Sequence, residues 1–226
     1  MINIIQSLAA HLPVQWQLAM KRLRFVWEIR TGRFVTNEPE FRWIEQVIHP
    51  GDSIIDIGAS VGIYTRKFSE LVGVSGRVYA FEPVPESFYL LTVLAGLMPH
   101  RNVTLFNIAA SDKVEIATIT IPRLDNYPRN YYRASLAKEH TLVGEDNMKV
   151  LCCPLDTFNF PGTIRLIKVD VEGHEESVLK GMRNLIERDK PTLIVESNFP
   201  ERYSWLAEYD YRKEHLPDSP NDIFYH

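Results

Sequence analysis

The sequence predicts an α/β fold, a doubly wound and mostly parallel sheet with helices at its N-terminus. Short apolar runs recur along the chain, and each is brief enough for a buried strand. Helical stretches separate most of these runs, and that alternation is typical of a parallel sheet covered by helices on both faces. The 226 residues are 45% hydrophobic and 24% charged, which is typical of an ordinary globular protein with one sizeable core.

We expect one domain over residues 1–226, because no internal repeat or low-complexity linker interrupts the sequence. Within it we distinguish a helical extension over 1–36, a core over 37–198, and a C-terminal tail with an edge strand over 199–226. The edge strand is expected at Asp222 to Tyr225.

The N-terminal extension is the most basic part of the chain. Residues 1 to about 33 are predicted to form one or two helices, the second starting near Pro13. Two interpretations of their basic face stay open. It contacts a membrane surface or an acidic substrate, or it is a solvated helix face packed on the domain or on a second subunit. A further helix is predicted from about Glu38 to Ile48.

A βαβ unit follows between Gly51 and Pro83. Two apolar runs, Ser53 to Ile57 and Arg77 to Phe81, flank a helical stretch from about Ile63 to Val72. Parallel strands require such a crossover. A glycine-rich turn, Gly58-Ala59-Ser60-Val61-Gly62, links the first strand to the helix.

Acidic residues end both strands of this unit, with Asp56 near the end of the first and Glu82 after the second. Open α/β sheets bind ligands beyond the carboxyl ends of their strands. The glycines let the backbone approach a ligand, and the helix start after Gly62 offers unpaired N–H groups. Glu82 follows Gly62 by about twenty residues and suits a ribose. The unit therefore predicts a nucleoside-cofactor site.

The turn favours S-adenosylmethionine over a nicotinamide dinucleotide. A dinucleotide fingerprint requires a glycine that clears space for the pyrophosphate, and Ser60 occupies that position. Asp56 before the turn suits a cationic ligand such as the amino group of the methyl donor, whose ribose has both hydroxyls free. A purely structural turn is the third interpretation.

The middle of the chain continues the alternation. A helix is predicted from about Pro85 to Met98, and Asn102 to Ala109 gives a third strand. The small residues Ala109 and Ala110 at its end either leave room for a flat ligand ring or form a plain turn. Between Arg123 and Asn147 the sequence is irregular and mixes tyrosines with arginines. This segment is a loop over the active site or a surface excursion.

A second group of polar residues follows the apolar run Thr163 to Asp170. Asp170, Glu172 and His174 alternate where the strand gives way to a helix predicted to reach about Arg188. In an extended backbone they would point the same way. Methyl transfer to oxygen requires an aligned acceptor and a base. His174 is the first candidate base, with Asp170 or Glu172 orienting the acceptor or donor. Metal ligation and a capped helix terminus are the alternatives.

Net charge, cysteine content and hydrophobicity limit the classes of partner and the compartment that we expect for this protein. A net charge of −4 does not favour nucleic-acid binding. Cys152 and Cys153, the only cysteines, are adjacent, which excludes an ordinary intrachain disulfide and favours a reducing, cytoplasmic compartment. We expect no signal peptide and no stable membrane insertion, since no long apolar run occurs. The expected partner is a small-molecule or carbohydrate acceptor, and a homo-oligomer is compatible with the sequence.

Several motifs together resemble the FkbM family of methyltransferases. They are Ile55 to Gly62 (IDIGASVG), Phe81-Glu82-Pro83, Ala109 to Asp112 (AASD), Leu155 to Phe158 (LDTF), Ile167 to Glu175 (IKVDVEGHE), and Glu196 at the end of its strand. The resemblance spans roughly Asn37 to Asn198. It implies a class I, Rossmann-like methyltransferase that uses S-adenosylmethionine, typically to O-methylate a hydroxyl of a sugar or secondary metabolite.

The resemblance also implies roles for particular residues. Asp56 and the glycine turn, with Gly58, Ala59, Ser60 and Gly62, would hold the methionine end of the donor. Glu82, followed by Pro83, would hold the ribose, and the Ala109–Ala110 turn would lie near the adenine. Ser60 replaces the asparagine common in the family, and His174 falls at a variable position of the motif, which shifts weight to Asp170 and Glu172. A nicotinamide-dependent dehydrogenase and a non-catalytic, adenosyl-binding partner subunit are the rival functions.

Overall fold

A computed structural model describes residues 14–121, 135–136, 146–196 and 200–226 of the chain. Most of the irregular segment between Arg123 and Asn147, including all of its arginines and tyrosines, lies outside the described residues, as do residues 1–13.

Eleven strands are present within the described residues, in two sheets. They are β1 Ser53–Ile57, β2 Arg77–Phe81, β3 Val103–Phe106, β4 Ala109–Ala110, β5 Glu115–Ile121, β6 Ser135–Leu136, β7 Asp146–Cys153, β8 Ile164–Val169, β9 Thr192–Glu196, β10 Arg212–His215 and β11 Asn221–Tyr225. The main sheet has the order β10-β11-β9-β8-β1-β2-β3, and a smaller sheet has the order β4-β7-β5-β6.

Helices cover both faces of the main sheet. They are α1 Val14–Arg30, α2 Glu40–Val47, α3 Ile63–Val72, α4 Pro85–Leu97, α5 Glu175–Lys180 and α6 Arg183–Asp189, with 3₁₀ segments at Leu155–Thr157 and Pro200–Tyr209. Neighbouring residues of a strand face opposite layers. Ile54 accordingly packs with Phe68 of α3 in one apolar layer, and Ile55 packs with Ile186 of α6 in the other. Because helices cover both faces of the sheet, the side chains on both sides of each central strand are buried. This explains the continuous apolar runs in the sequence.

The strand order creates a switch point beside β1. From β1 the chain proceeds through β2 to β3 on one side, and later through β8 to β9 on the other, all in parallel. The connections diverge at the carboxyl end of β1, where an open sheet has room for a ligand. The predicted α/β, doubly wound and mostly parallel sheet is confirmed, and β11 alone among its seven strands runs antiparallel to the rest.

Some element boundaries differ from the prediction. The strand expected over Asn102 to Ala109 is divided into β3 and β4, which belong to different sheets. The strand expected at Asp222 to Tyr225 is present as β11, but its expected position at the edge is wrong, because β10 covers its outer side. Pairing with β10 and β9 satisfies the backbone of β11 on both sides.

The helix expected to run to about Arg188 is broken into α5 and α6. At the break, a Cβ on Gly181 would lie 1.9 Å from the backbone oxygen of Ser111. The chain therefore needs glycine at this close approach. Asp156, which lies outside α6, caps the N-terminus of this helix. Its carboxylate accepts the backbone N–H groups of Asn184 and Leu185, both at 3.0 Å.

Candidate active site

A crevice of about 650 Å³, partly open to solvent, lies at the carboxyl ends of β1, β2 and β8. Each wall is the end of a strand or the turn that follows it. The lining residues are Ile57, Gly58, Ser60, Phe81, Glu82, Pro83, Val84, Ile108, Ala109, Ala110, Ile119, Asp170, Val171, Glu172 and His174. The crevice thus brings together six of the nine residues predicted to bind the cofactor and all three predicted to be catalytic.

Glu82 is the most firmly held acid of the crevice. Its Oε2 accepts the backbone N–H of Ser60 and its Oε1 accepts that of Val84, both at 2.8 Å. Asn107 Nδ2 donates to the backbone oxygen of Glu82 at 2.8 Å. The side chain is 5% exposed. Each carboxylate oxygen retains a further lone pair, so the fixed group can still accept two hydrogen bonds from a ligand.

The glycine turn is shaped by a close approach to the next strand end. A Cβ on Gly58, whose φ is +76°, would lie 1.7 Å from the backbone oxygen of Asp170. The N–H groups of Gly58 and Ala59 donate to the backbone oxygen of Phe81, each at 3.0 Å. With Ser60 N–H on Glu82, three amides of the turn face β2 and are not free for an anion.

Ser60 combines two unusual features. It adopts a left-handed φ of +49°, which L-residues rarely accept. Its Oγ is buried and has no hydrogen-bond partner among the described residues. A buried polar atom without a partner is unfavourable unless something else bonds it. Since Ser60 lines the crevice, that partner is best supplied by a bound ligand.

Asp56 lies behind the crevice wall. It is 1% exposed, and Thr65 Oγ1 donates to its Oδ2 at 2.5 Å. Asp56 pairs in register with Lys168 of β8, a buried lysine whose Nζ donates to Asp170 Oδ2 at 2.6 Å. Ala59 and Gly62 also lie behind the wall: Ala59 packs with Leu91 of α4, and a Cβ on Gly62 would meet the same side chain. These residues support the turn.

Burial raises the pKa of two of these acids. For Glu82 it raises the pKa to about 7, although the N–H groups of Val84 and Ser60 oppose the shift. For Asp56 it raises the pKa to about 6, opposed by the charge of Lys168 and the hydrogen bond from Thr65. Burial lowers the pKa of Lys168, but the charges of Asp170 and Asp56 outweigh it and leave that pKa raised. The site therefore contains two buried acids, Asp56 and Glu82, whose charged forms are disfavoured by burial.

The three candidate catalytic residues share the crevice without sharing an extended backbone. β8 ends at Val169, and Glu172 and Gly173 adopt positive φ values of +52° and +95°. The expectation of an extended segment is therefore wrong. Glu175 holds the turn, because its Oε1 accepts the N–H of Gly173 at 2.9 Å. Two left-handed residues in succession reverse the chain, which returns His174 to the crevice wall.

His174 contacts Ser111, with Nε2 2.9 Å from its Oγ. The Ser111 hydroxyl donates to Asp112 Oδ1 at 3.2 Å. In that arrangement the Nε2–H tautomer donates to Ser111 and leaves Nδ1 as the basic ring nitrogen. Burial lowers the pKa of His174, opposed by the charges of Asp112 and Glu175. The ring is thus neutral near pH 7.

The opposite wall is apolar. Ala109 and Ala110 form β4, pair with Cys152 and Cys153 of β7, and are almost fully buried. Ile108 and Ile119 line the same wall. Small and branched side chains here leave a flat apolar surface, which suits the face of an aromatic ring.

Two further features of the described residues concern metals and membranes. No group of three or more His, Cys, Asp or Glu side chains is arranged to hold a metal ion. Within the same residues, every helix is too short or too polar to cross a membrane.

Sequence reasoning gave no site role to two residues that shape the site, although Glu196 was part of the family resemblance. Lys168 is the only buried cation beside Asp56 and Asp170 among the described residues, and its signal was a lysine within the otherwise apolar β8 run. Glu196, at the end of β9, has a buried Oε2 without a hydrogen-bond partner in the described part of the chain. Burial, followed by the charges of Asp170 and Glu172, raises its pKa to about 7. Its signal was an acid ending a buried strand.

The strand order and the acid-rich crevice at the switch point define a class I methyltransferase fold. A solved structure of methyltransferase FkbM from Methylobacillus flagellatus KT superposes on this fold with a TM-score of 0.53, at 18% identity. That match covers 82% of this chain and 50% of the other, so this chain spans half the length of the FkbM structure it matches.

The chain belongs to the FkbM methyltransferase family: the model of the methyltransferase FkbM domain matches residues 56–213. Among relatives, the hexuronic acid methyltransferase AglP of Haloferax volcanii is 26% identical over 190 residues, which cover 83% of this chain and 70% of AglP. The matched family region contains both groups of candidate site residues.

Proposed function

We propose that this protein is an S-adenosylmethionine-dependent O-methyltransferase that acts on a hydroxyl of a sugar or secondary metabolite. Family membership supports methyl transfer. The observation that carries the choice of cofactor is the Glu82 carboxylate, which two backbone N–H groups hold at the floor of the crevice.

Glu82 is suited to a ribose with both hydroxyls free. A carboxylate held by one donor on each oxygen keeps one lone-pair site on each, and a vicinal diol offers two O–H donors at matching separation. Donation from the diol favours the ionised form, which offsets the burial that raises the Glu82 pKa to about 7. We infer that ligand binding releases protons near neutral pH.

The same geometry disfavours a nicotinamide dinucleotide. Pyrophosphate binding in such turns relies on free backbone N–H groups and a helix N-terminus. Here Gly58, Ala59 and Ser60 direct their N–H groups to β2. A pyrophosphate beside Glu82 would also meet like charge.

The residues around the turn would hold the rest of the donor. When bound, S-adenosylmethionine supplies an electrophilic methyl group on a sulfonium centre. Ser60 Oγ, buried and without a partner among the described residues, is available to the polar methionine end. Asp170 and Glu172 supply negative charge that favours a cationic ligand, and Ala109 and Ala110 offer the apolar wall for the adenine. Asp56 contributes from behind, through the turn.

An acid-rich crevice favours a neutral reacting group on the acceptor. Glu82, Asp170, Glu172 and Glu196 surround or approach the crevice, so a carboxylate acceptor would be repelled from the described residues. A sugar hydroxyl meets no such penalty. AglP is by name a hexuronic acid methyltransferase, which supports a sugar acceptor; we assign the transfer to a hydroxyl and not to the sugar carboxylate.

The crevice contains two kinds of proton acceptor. His174 is neutral near pH 7 and carries one basic nitrogen, so it can take the hydroxyl proton. Asp170, fixed by Lys168, can orient the acceptor hydroxyl. We assign His174 as the base and Asp170 and Glu172 as orienting groups. The adjacent free thiols of Cys152 and Cys153 support a cytoplasmic enzyme.

Calorimetric titration with S-adenosylmethionine, S-adenosylhomocysteine and NAD tests the cofactor. The adenosyl ligands should bind, and Glu82→Gln should weaken them roughly tenfold or more, about 1.5–3 kcal/mol for a charge-assisted contact. Glu70→Gln on the exposed side of α3 is the matched control and should bind like wild type. Binding of NAD alone, or equal affinity in both variants, would contradict the proposal.

Product formation tests the transfer itself. Hexoses, hexuronic acids and their glycosides should be offered with the donor, and methylated product detected by mass spectrometry. His174→Asn should lower turnover by roughly 10²–10⁴-fold while donor affinity changes little. If donor binds wild type but no acceptor in the panel is methylated, the non-catalytic partner subunit becomes the better account.

A further inference from the structure

Helix α1 carries an apolar stripe that faces away from the protein. Trp16, Met20, Leu23 and Trp27 are 65%, 41%, 72% and 49% exposed. Their spacing of four, three and four residues places them within about 60° of one another around a helix. Four large apolar side chains on one narrow exposed face exceed the scattered surface apolar residues of an ordinary protein.

The opposite side of α1 is the one packed on the protein. Phe25, half a turn from the stripe, is 5% exposed and packs with Phe34, Leu90, Leu94 and Val61. Val61 belongs to the glycine turn of the crevice. The helix therefore has two apolar faces, and the fold uses one of them. The exposed stripe is not needed to hold α1 in place.

Charge identifies the partner of the exposed stripe. Residues 14–30 include four cations and one acid, whereas the whole chain carries −4. Arg24 is paired with Glu28 at 2.7 Å, Arg30 lies exposed on the flank, and Arg33 stacks over Trp27 at 4.7 Å. A second copy would bring two cationic helices together. Trp residues with flanking arginines instead match the headgroup layer of an anionic lipid surface.

We propose that α1 lies in the plane of an anionic membrane surface, with Trp16, Met20, Leu23 and Trp27 inserted among the lipids. The binding is peripheral and independent of the methyl-transfer reaction. Because Phe25 of α1 packs against Val61, the docked helix holds the crevice wall close to the lipid surface. An acceptor presented at that surface would meet the enzyme without diffusing through bulk water.

Vesicle flotation of the full chain tests this proposal. The protein should float with vesicles of phosphatidylcholine and phosphatidylglycerol, but not with phosphatidylcholine alone, and its tryptophan emission should shift to the blue. Leu23→Ser/Trp27→Ser should reduce partitioning roughly a hundredfold, through lost apolar burial. Arg30→Gln/Arg33→Gln, which keeps the stripe, should reduce it about tenfold.

Val114→Ser/Ile116→Ser is the matched control, because these residues are 65% and 70% exposed on a different surface. It should float like wild type. Thermal melting and S-adenosylhomocysteine titration check that every variant is folded. Equal flotation of wild type and the stripe variant, or equal binding to neutral vesicles, would overturn the proposal. So would light scattering that shows a dimer dissociated by the stripe substitutions, which would make a second copy the occupant.

Discussion

Two parts of the main sheet carry buried acids in opposite ways. At the far edge, formed by residues 212–225, each buried carboxylate oxygen has a donor. Glu40 of α2 accepts Ser219 Oγ at 2.8 Å and also the amide of Asn221. Asp222 accepts Lys213 Nζ at 3.3 Å and His215 Nδ1 at 2.9 Å. Full pairing makes this edge a source of stability.

At the crevice the buried acids outnumber the buried cations. Burial raises the pKa values of Asp56, Glu82 and Glu196 to about 6, 7 and 7. Lys168 is the one buried cation among the described residues there. The cost of ionising these acids is offset only in part by the fold. The comparison shows that the buried acids with raised pKa values lie at or beside the crevice, and perturbed pKa values of this kind are typical of functional sites.

The largest expected effect concerns the backbone that holds the crevice acids. Gly58→Ala should destabilise the protein by about 4 kcal/mol or more, because its Cβ would overlap the Asp170 carbonyl and its φ is positive. Gly162 has the same φ of +76° with nothing within 4 Å. Gly162→Ala should cost only about 1 kcal/mol. Urea unfolding measures both, and equal losses would show that the close approach at Gly58 relaxes freely.

The second largest effect is expected from removing Lys168, the one buried cation among the described residues at the crevice. Lys168→Met should cost about 3–5 kcal/mol in the free energy of unfolding, because it leaves Asp56 buried beside Asp170 without a positive charge. The loss should be larger at pH 8 than at pH 5, since Lys168 lowers the pKa of Asp56. Lys213→Met at the far edge should cost less than about 1 kcal/mol, because Asp222 retains His215. Similar losses in both variants would erase the contrast between the two regions.

Local patterns were sufficient to predict the framework of the crevice. The bounds of β1 and β2 follow from two short apolar runs and agree with the structure residue for residue. Glu82 was predicted to face the ligand because a glycine turn and a strand end fix its position almost alone. Such features depend on residues that are close together in the sequence, so local sequence patterns are enough to predict them.

Distant contacts account for what the sequence did not predict. Asp56 was expected to face the ligand, but Lys168, more than a hundred residues later, pairs with it in register and shares its buried position. The break at Gly181 depends on Ser111, which approaches it only in the folded chain. The turn has positive φ values at both Glu172 and Gly173. Only at Gly173 does the residue type favour such a conformation, so nothing in the sequence indicated it at Glu172.

The pH dependence of stability provides a third test. The folded protein holds a proton on Glu82 up to about pH 7, whereas the unfolded chain releases it near 4.5. Its contribution is therefore present below pH 4.5 and is lost as pH rises through 7, on the order of 3 kcal/mol. Glu82→Gln should lose less stability between pH 5 and pH 8 than wild type. An unchanged slope would place the Glu82 titration outside this range.

Bound S-adenosylhomocysteine should change how the stability of the protein depends on pH. Because its ribose hydroxyls favour the ionised carboxylate, saturating ligand should reduce the loss of wild-type stability between pH 5 and pH 8. Glu82→Gln should show no such reduction beyond the general stabilisation by bound ligand. Thermal unfolding at each pH, with and without ligand, separates these terms.

The smallest expected effect isolates one hydrogen bond behind the crevice. Thr65→Val removes the donor to Asp56 Oδ2 without changing side-chain shape, and should cost about 1–2 kcal/mol. That hydrogen bond lowers the pKa of Asp56, so the loss should grow as pH rises through 6 and the carboxylate ionises. Thr118→Val, where Lys149 reaches the hydroxyl on an exposed surface, should change stability by less than about 0.5 kcal/mol. A Thr65→Val loss that is the same at pH 5 and pH 8 would mean that Asp56 keeps one protonation state throughout, and would contradict the raised pKa that sets the crevice apart from the far edge.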